Sequence, residues 1–145
     1  MPRGDLDRVG YLYFVASERQ GAIKIGFAEE VYMRLKSLQT GNPDELTLLA
    51  VVPCRIQAET LLHQYLKHKR IRLEWYPDDA EIERLIYELQ DDMVEFGIES
   101  SDADLEGLDG DLISSLLKQS YMATPLPTDL ILQRVHECCP TPVLM

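Results

Sequence analysis

Cysteine is scarce in this chain: three in 145 residues, an odd number, with two of them adjacent at Cys138 and Cys139. That makes a poor disulfide framework and points to a reducing, intracellular and cytoplasmic setting. Long apolar runs are missing too. No stretch approaches the ~20 uninterrupted apolar residues that a membrane-crossing helix needs, so no membrane contact is expected. The first eight residues, Met1-Pro-Arg-Gly-Asp-Leu-Asp-Arg8, hold no apolar signal core. No internal repeat is visible. Positive charge is sparse in only one half. Residues 77–145 carry 3 Lys/Arg against 16 Asp/Glu, a balance of −13, whereas residues 1–76 carry 11 against 9, a balance of +2; together these make the net −11. So large an asymmetry assigns different tasks to the two halves, and only the first is suited to meet phosphates.

What is present reads as alternating strands and helices. Residues 10–16, Gly-Tyr-Leu-Tyr-Phe-Val-Ala, are aromatic and β-branched, and residues 22–27 match them across the turn Ser17-Glu-Arg-Gln-Gly21. The two predict an antiparallel hairpin. Glu29 and Glu30 then lead a helix in which Val31, Leu35 and Leu38 recur at i, i+4, i+7, stopped by Thr40-Gly-Asn-Pro43. Residues 46–52 form a continuous apolar run, which predicts a central strand covered on both faces. Helical spacing returns from Ile56 to Lys69, with Ala58, Leu61, Leu62, Tyr65 and Leu66 on one stripe. After the short aromatic segment Leu73-Glu-Trp-Tyr76, Asp78 or Asp79 caps a helix whose apolar face is Ile82, Leu85, Ile86, Leu89, Met93 and Phe96, ended by Gly97. The acidic stretch 99–111 marks a boundary. Residues 1–98 are expected to form one domain, and residues 99–145 an acidic linker and tail with short helices at 112–117 and 130–135 around Pro125 and Pro127.

Several polar residues are poorly explained by packing. Tyr11 and Tyr13 share one face of the first strand, Lys24 lies mid-strand between Ile23 and Ile25, and Arg34 borders the apolar stripe of the first helix. Glu59 and His63 stand i, i+4 on a later helix, and Glu74-Trp75-Tyr76 follows the cations Lys67, Lys69, Arg70 and Arg72. Phosphodiester hydrolysis needs groups of these kinds: one to activate water, cations to neutralise the phosphate, and a carboxylate to hold a hard metal. Each has a plainer reading. The tyrosines suit a packed strand, Arg34 a solvated helix face, Glu59 with His63 a surface pair, and the chain's only tryptophan, Trp75, a core-closing residue. The segment His136-Glu-Cys-Cys139 makes a poor chelate, and Cys54 reads as a buried structural thiol.

The ordered set Tyr11-Leu-Tyr13, Ile23-Lys-Ile-Gly26, Arg34, Leu38-Gln-Thr-Gly-Asn-Pro43, Glu59-x-x-x-His63 and Glu74-Trp-Tyr76 resembles the GIY-YIG endonuclease superfamily over residues 9–88. More narrowly it is similar to the Lys-Ile-Gly branch found in phage open reading frames and meiotically up-regulated proteins. The resemblance implies an α+β fold, a small three-stranded antiparallel sheet flanked by helices, here with an acidic helical C-terminal extension. It also implies a metal-dependent endonuclease acting on DNA, or on RNA, with Mg²⁺ or Mn²⁺ as cofactor. Tyr13 matches the tyrosine of the first motif, Gly26 the glycine closing the second, Arg34 the arginine at the scissile phosphate, and Glu59 the metal-binding carboxylate. Tyr11, Lys24 and His63 are expected to assist, while Lys36, Lys67, Lys69, Arg70, Arg72 and Trp75 would contact nucleic acid. The sequence departs from the pattern at Lys24, which replaces the tyrosine of the wider superfamily, and at Leu73, where the branch has glycine. A late asparagine has no counterpart. The alternatives are a non-catalytic nucleic-acid or protein-binding module on the same fold, and an acidic interaction protein that mimics nucleic-acid charge. The tail's acidity serves solubility, covers the basic face, or binds a basic partner protein.

Overall fold

The computed structural model describes residues 8–95 and 125–139. Four strands form one antiparallel sheet: β1 (Val9–Ser17), β2 (Ala22–Ala28), β3 (Leu46–Arg55) and β4 (Trp75–Pro77), in the spatial order β3-β1-β2-β4. Helices α1 (Val31–Thr40), α2 (Ile56–Tyr65), α3 (Ala80–Glu95) and α4 (Thr128–Cys138) surround it, with one turn of 3-10 helix at Lys67–Lys69. The expected β1-β2 hairpin forms, and Gly21 closes its turn at φ +61°, a left-handed conformation open to glycine. Asp79, rather than Asp78, caps α3 by accepting a hydrogen bond from the Ile82 N–H at 3.0 Å.

Two expectations about the sheet need correction. It has four strands, not three, because Trp75–Pro77 pairs with Ala22–Lys24 of β2. Residues 46–55 are covered on both faces but form an edge strand; the inner strands are β1 and β2. A continuous apolar run reports two-sided cover and says nothing about lateral neighbours. The free edge of β3 is partly closed by the Leu126 N–H, which donates to the Pro53 carbonyl at 3.0 Å.

Strand alternation splits the core in two. Leu12, Phe14 and Ala16 face one way, with Ile23, Ile25, Tyr76 and the apolar sides of α2, α3 and α4. Tyr11, Tyr13 and Val15 face the other, under Val31 and Leu35 of α1. A bulge between Phe14 and Val15 inverts the parity of β3. Leu46 and Leu48 therefore lie on the α1 face together with Val51, while Ala50, Val52 and Cys54 lie on the other.

Helix α4 docks through Ile131, Val135 and Cys138 into the same core as α2 and α3. Asp92 of α3 is fully buried, and Arg134 grips it in a fork, Nε to Oδ2 at 2.8 Å and Nη2 to Oδ1 at 2.8 Å. Arg134→Ala would leave that carboxylate without its cation. The expected loss is about 3 kcal/mol, read as a lower denaturant midpoint at unchanged slope; an unaltered midpoint would contradict it. Phe96, Gly97, the 99–111 connector and the 112–117 helix lie outside the described residues.

Candidate active site

The site begins at the short strand β4. Past Lys24↔Trp75 the pairing with β2 continues only as the Ile25 N–H donating to the Glu74 carbonyl at 3.0 Å, so among the described residues the edge of β2 is open from Gly26 onward. The chain reverses there through a tight turn, Arg72-Leu-Glu-Trp75, in which the Trp75 N–H donates to the Arg72 carbonyl at 2.8 Å. Leu73 sits at its first central position with φ +50°, the one non-glycine residue with positive φ among those described, and its side chain is exposed. Two-residue turns of this kind favour glycine at that position, which accounts for glycine in the branch the sequence resembles. Leu73→Gly should gain up to about 1 kcal/mol instead of weakening the fold, because a left-handed L-residue costs about that much. A lowered melting temperature would contradict this.

Opposite the open edge, Gly26 pairs with Tyr13 of β1, and the Tyr13 phenol lies across it so closely that a β-carbon at Gly26 would overlap the ring and its hydroxyl. Glycine here is a steric requirement. Tyr13 is 2% exposed and lies in the α1-side core. Burial pushes its phenol up to about 12, Glu74 and Glu59 add to the rise, and Arg34 opposes it. Tyr76, packed on the opposite side of the sheet, is also pushed up to about 12 by burial; Arg70 opposes that shift, and Glu74 and Glu59 add to it. Two phenols from opposite faces thus sense the same two carboxylates. Glu74 lies in the turn that leads into β4, and Glu59 of α2 comes close to it.

Three side chains converge there. Glu59 and His63, one turn apart on α2, approach within 3.7 Å, Oε2 to Nε2, and each side chain is 19% exposed. Nδ1 of His63 is hydrogen-bonded to the Tyr76 hydroxyl, and the two rings stack with centroids 5.5 Å apart. Nε2 of His63 is buried and has no hydrogen-bond partner among the described residues. With Glu74, one ligand atom from each of the three residues lies within 4.8 Å of the others, so the donor set fits a metal ion. Lys24 lies beside them, donating from Nζ to Oε1 of Glu74 at 2.6 Å. Arg34 is exposed on α1 and has no ion pair among the described residues, yet its charge reaches the Tyr13 phenol.

The remaining predicted residues are scattered. Tyr11 is 8% exposed in the Tyr13 cluster, opposite Ala28 of β2. Lys36 is exposed and lies over the Tyr32 ring at 5.5 Å. Lys67, Arg70 and Arg72 are exposed. Lys69 instead turns inward, 11% exposed, to Asp79 at 2.8 Å and Glu81 at 2.5 Å. Trp75 is half-buried against the α1-side core. Sequence reasoning quoted Glu74 and Tyr76 as part of a motif but gave neither a role at the site. A signal existed, since both stand two apart in an extended segment after a basic run, but nothing in the sequence aims them at α2.

In the comparison with protein families, the model of the T5orf172 domain matches residues 10–94, from the start of β1 into the last turn of α3. The chain belongs to the T5orf172 domain family. This domain is associated with the GIY-YIG-like family of phage open reading frames and is loosely related to endonuclease-type folds. The match contains the whole Tyr13–Arg34–Glu59–Glu74 constellation, whereas α4 lies beyond it. No curated protein and no solved structure matches the chain. No helix among the described residues is long and apolar enough to cross a membrane.

Proposed function

We propose that this T5orf172 domain is a divalent-metal-dependent endonuclease that hydrolyses phosphodiester bonds of DNA. The observation that supports the reading is the cluster of Glu59, His63 and Glu74, with one ligand atom of each within 4.8 Å of the others, beside a Tyr13 phenol on which the charges of Arg34 and Glu59 both act. Chemistry on a phosphate needs little more than positioning and charge. Glu59 would hold Mg²⁺ or Mn²⁺, which when bound supplies positive charge at the leaving oxygen.

The other roles belong to the chain itself. Arg34 presents an unpaired guanidinium, whose planar fork suits two phosphate oxygens at once. The Tyr13 phenol, pushed up to about 12 by burial, keeps its proton at neutral pH; at 2% exposure and packed across Gly26 it would shape the edge of β2 from beneath and not serve as a base in solvent. Lys24 holds Glu74 in place. Exposed Lys67, Arg70 and Arg72 lie on the segment leading into the Glu74 turn, where they would follow the DNA backbone.

The test is incubation of supercoiled plasmid with the full chain, with a divalent ion or with chelator. Nicked product that appears only with the ion supports the proposal. Retention of plasmid without nicking would instead make the domain a binding module, and the absence of both nicking and retention would remove nucleic acid from the account altogether.

A further inference from the structure

The His63 ring is the most informative group at the site. A buried nitrogen without a partner costs roughly 1–3 kcal/mol, and Nε2 is in that position with Oε2 of Glu59 at 3.7 Å and Glu74 in the same cluster. We propose that Glu59, His63 and Glu74 together ligate one divalent transition ion, of the Mn²⁺ or Zn²⁺ kind, in preference to Mg²⁺. The function proposed above gives that ion its purpose, but the ligand assignment stands on the geometry alone.

The tautomer follows from the hydrogen bond on the far side of the ring. If Nδ1–H donates to the Tyr76 oxygen, the Nε2 lone pair is left free on the side of Glu59, in the cluster that also holds Glu74. The opposite tautomer puts a proton on Nε2 with its nearest carboxylate oxygen at 3.7 Å, too far for a hydrogen bond. A second-sphere donor or acceptor on the non-ligating nitrogen is how metal-binding imidazoles are oriented, and Tyr76 is fully buried and fixed in the core. The ligands also come from rigid elements: two from one turn of α2, the third from the turn that begins β4.

Ligand chemistry decides the ion. Mg²⁺ takes oxygen donors, demands a near-ideal octahedron and keeps most of its water. An imidazole gives it little, whereas Mn²⁺ and Zn²⁺ accept mixed nitrogen and carboxylate ligands. Lys24 is the competitor. Its ammonium on Glu74 Oε1 occupies one carboxylate oxygen and repels an incoming cation, so the site is tuned to admit only an ion that binds the imidazole as well.

The experiment uses the full chain without DNA and titrates MnCl2, ZnCl2 and MgCl2. Binding is read by calorimetry and by the fluorescence of Trp75, the chain's only tryptophan and the neighbour of Glu74. One equivalent of Mn²⁺ or Zn²⁺ should bind about tenfold or more tighter than Mg²⁺. His63→Gln, and Tyr76→Phe with the ligands intact, should each weaken Mn²⁺ about 10- to 100-fold while changing Mg²⁺ little. Lys24→Met should tighten Mn²⁺. Equal affinities for Mn²⁺ and Mg²⁺ in the wild type would overturn the proposal, as would Mn²⁺ affinity unchanged in Tyr76→Phe. If His63→Gln does not fold, Tyr76→Phe and Glu74→Gln carry the test. Tight Mn²⁺ binding without plasmid nicking would retire the hydrolase reading and leave the ligand assignment standing; nicking with no preference for Mn²⁺ would do the reverse.

Discussion

Glu59→Gln is expected to lower plasmid nicking by about 1,000-fold while the fold survives. Glutamine keeps the size of the side chain but loses the charge that would hold the ion, and an ion at a developing charge contributes several kcal/mol to the transition state. Each 1.36 kcal/mol is a factor of ten in rate, so a loss near 4 kcal/mol sets the magnitude. The stability cost should be small. Glu59 is partly exposed at the flank of α2, and its one approach within ion-pair distance is to His63 at 3.7 Å. Melting within a few degrees of wild type, together with the lost activity, would separate a chemical effect from unfolding. Nicking at the wild-type rate would remove Glu59 from the mechanism.

Arg34→Ala should cost about 100- to 1,000-fold in rate, the range found when one charge-stabilising donor is removed from a preorganised site. Arg34→Lys should recover only part of it, because an ammonium cannot reproduce the two-pronged contact of a guanidinium with a phosphate. The stability of both variants should match wild type, since Arg34 is exposed and makes no ion pair among the described residues. Full rescue by lysine would reduce Arg34 to a general positive charge. An intact rate in the alanine variant would show that its register beside Tyr13 is incidental.

The sequence was informative where chemistry is local. The hairpin, the end of α1 at Thr40 and the cap at Asp79 each follow from a few neighbouring residues. Ordered motifs singled out Arg34 and Glu59, whose charges both act on the phenol of Tyr13. It was silent where partners lie far apart. Lys24 meets Glu74 across 50 positions, and Arg134 meets Asp92 across 42. Nothing in either segment reveals the other. Strand β4 is three residues long, too short for alternation to register, and its absence from the expected sheet also hid the open edge on which the site depends. Lys69 shows the same limit in reverse. It sits in a basic run that reads as a phosphate-binding stripe, yet it is drawn inward by carboxylates 10 and 12 residues later.

The central claim is that a guanidinium from α1 and a carboxylate from α2 act on the same phosphate, and a double-mutant cycle tests it most directly. Nicking rates are measured for wild type, Arg34→Ala, Glu59→Gln and the pair combined, at matched salt and Mn²⁺. Residues that serve one transition state are strongly non-additive, so the double variant should be scarcely slower than the worse single one. Losses that multiply, as they would for two groups acting independently, would contradict a shared site.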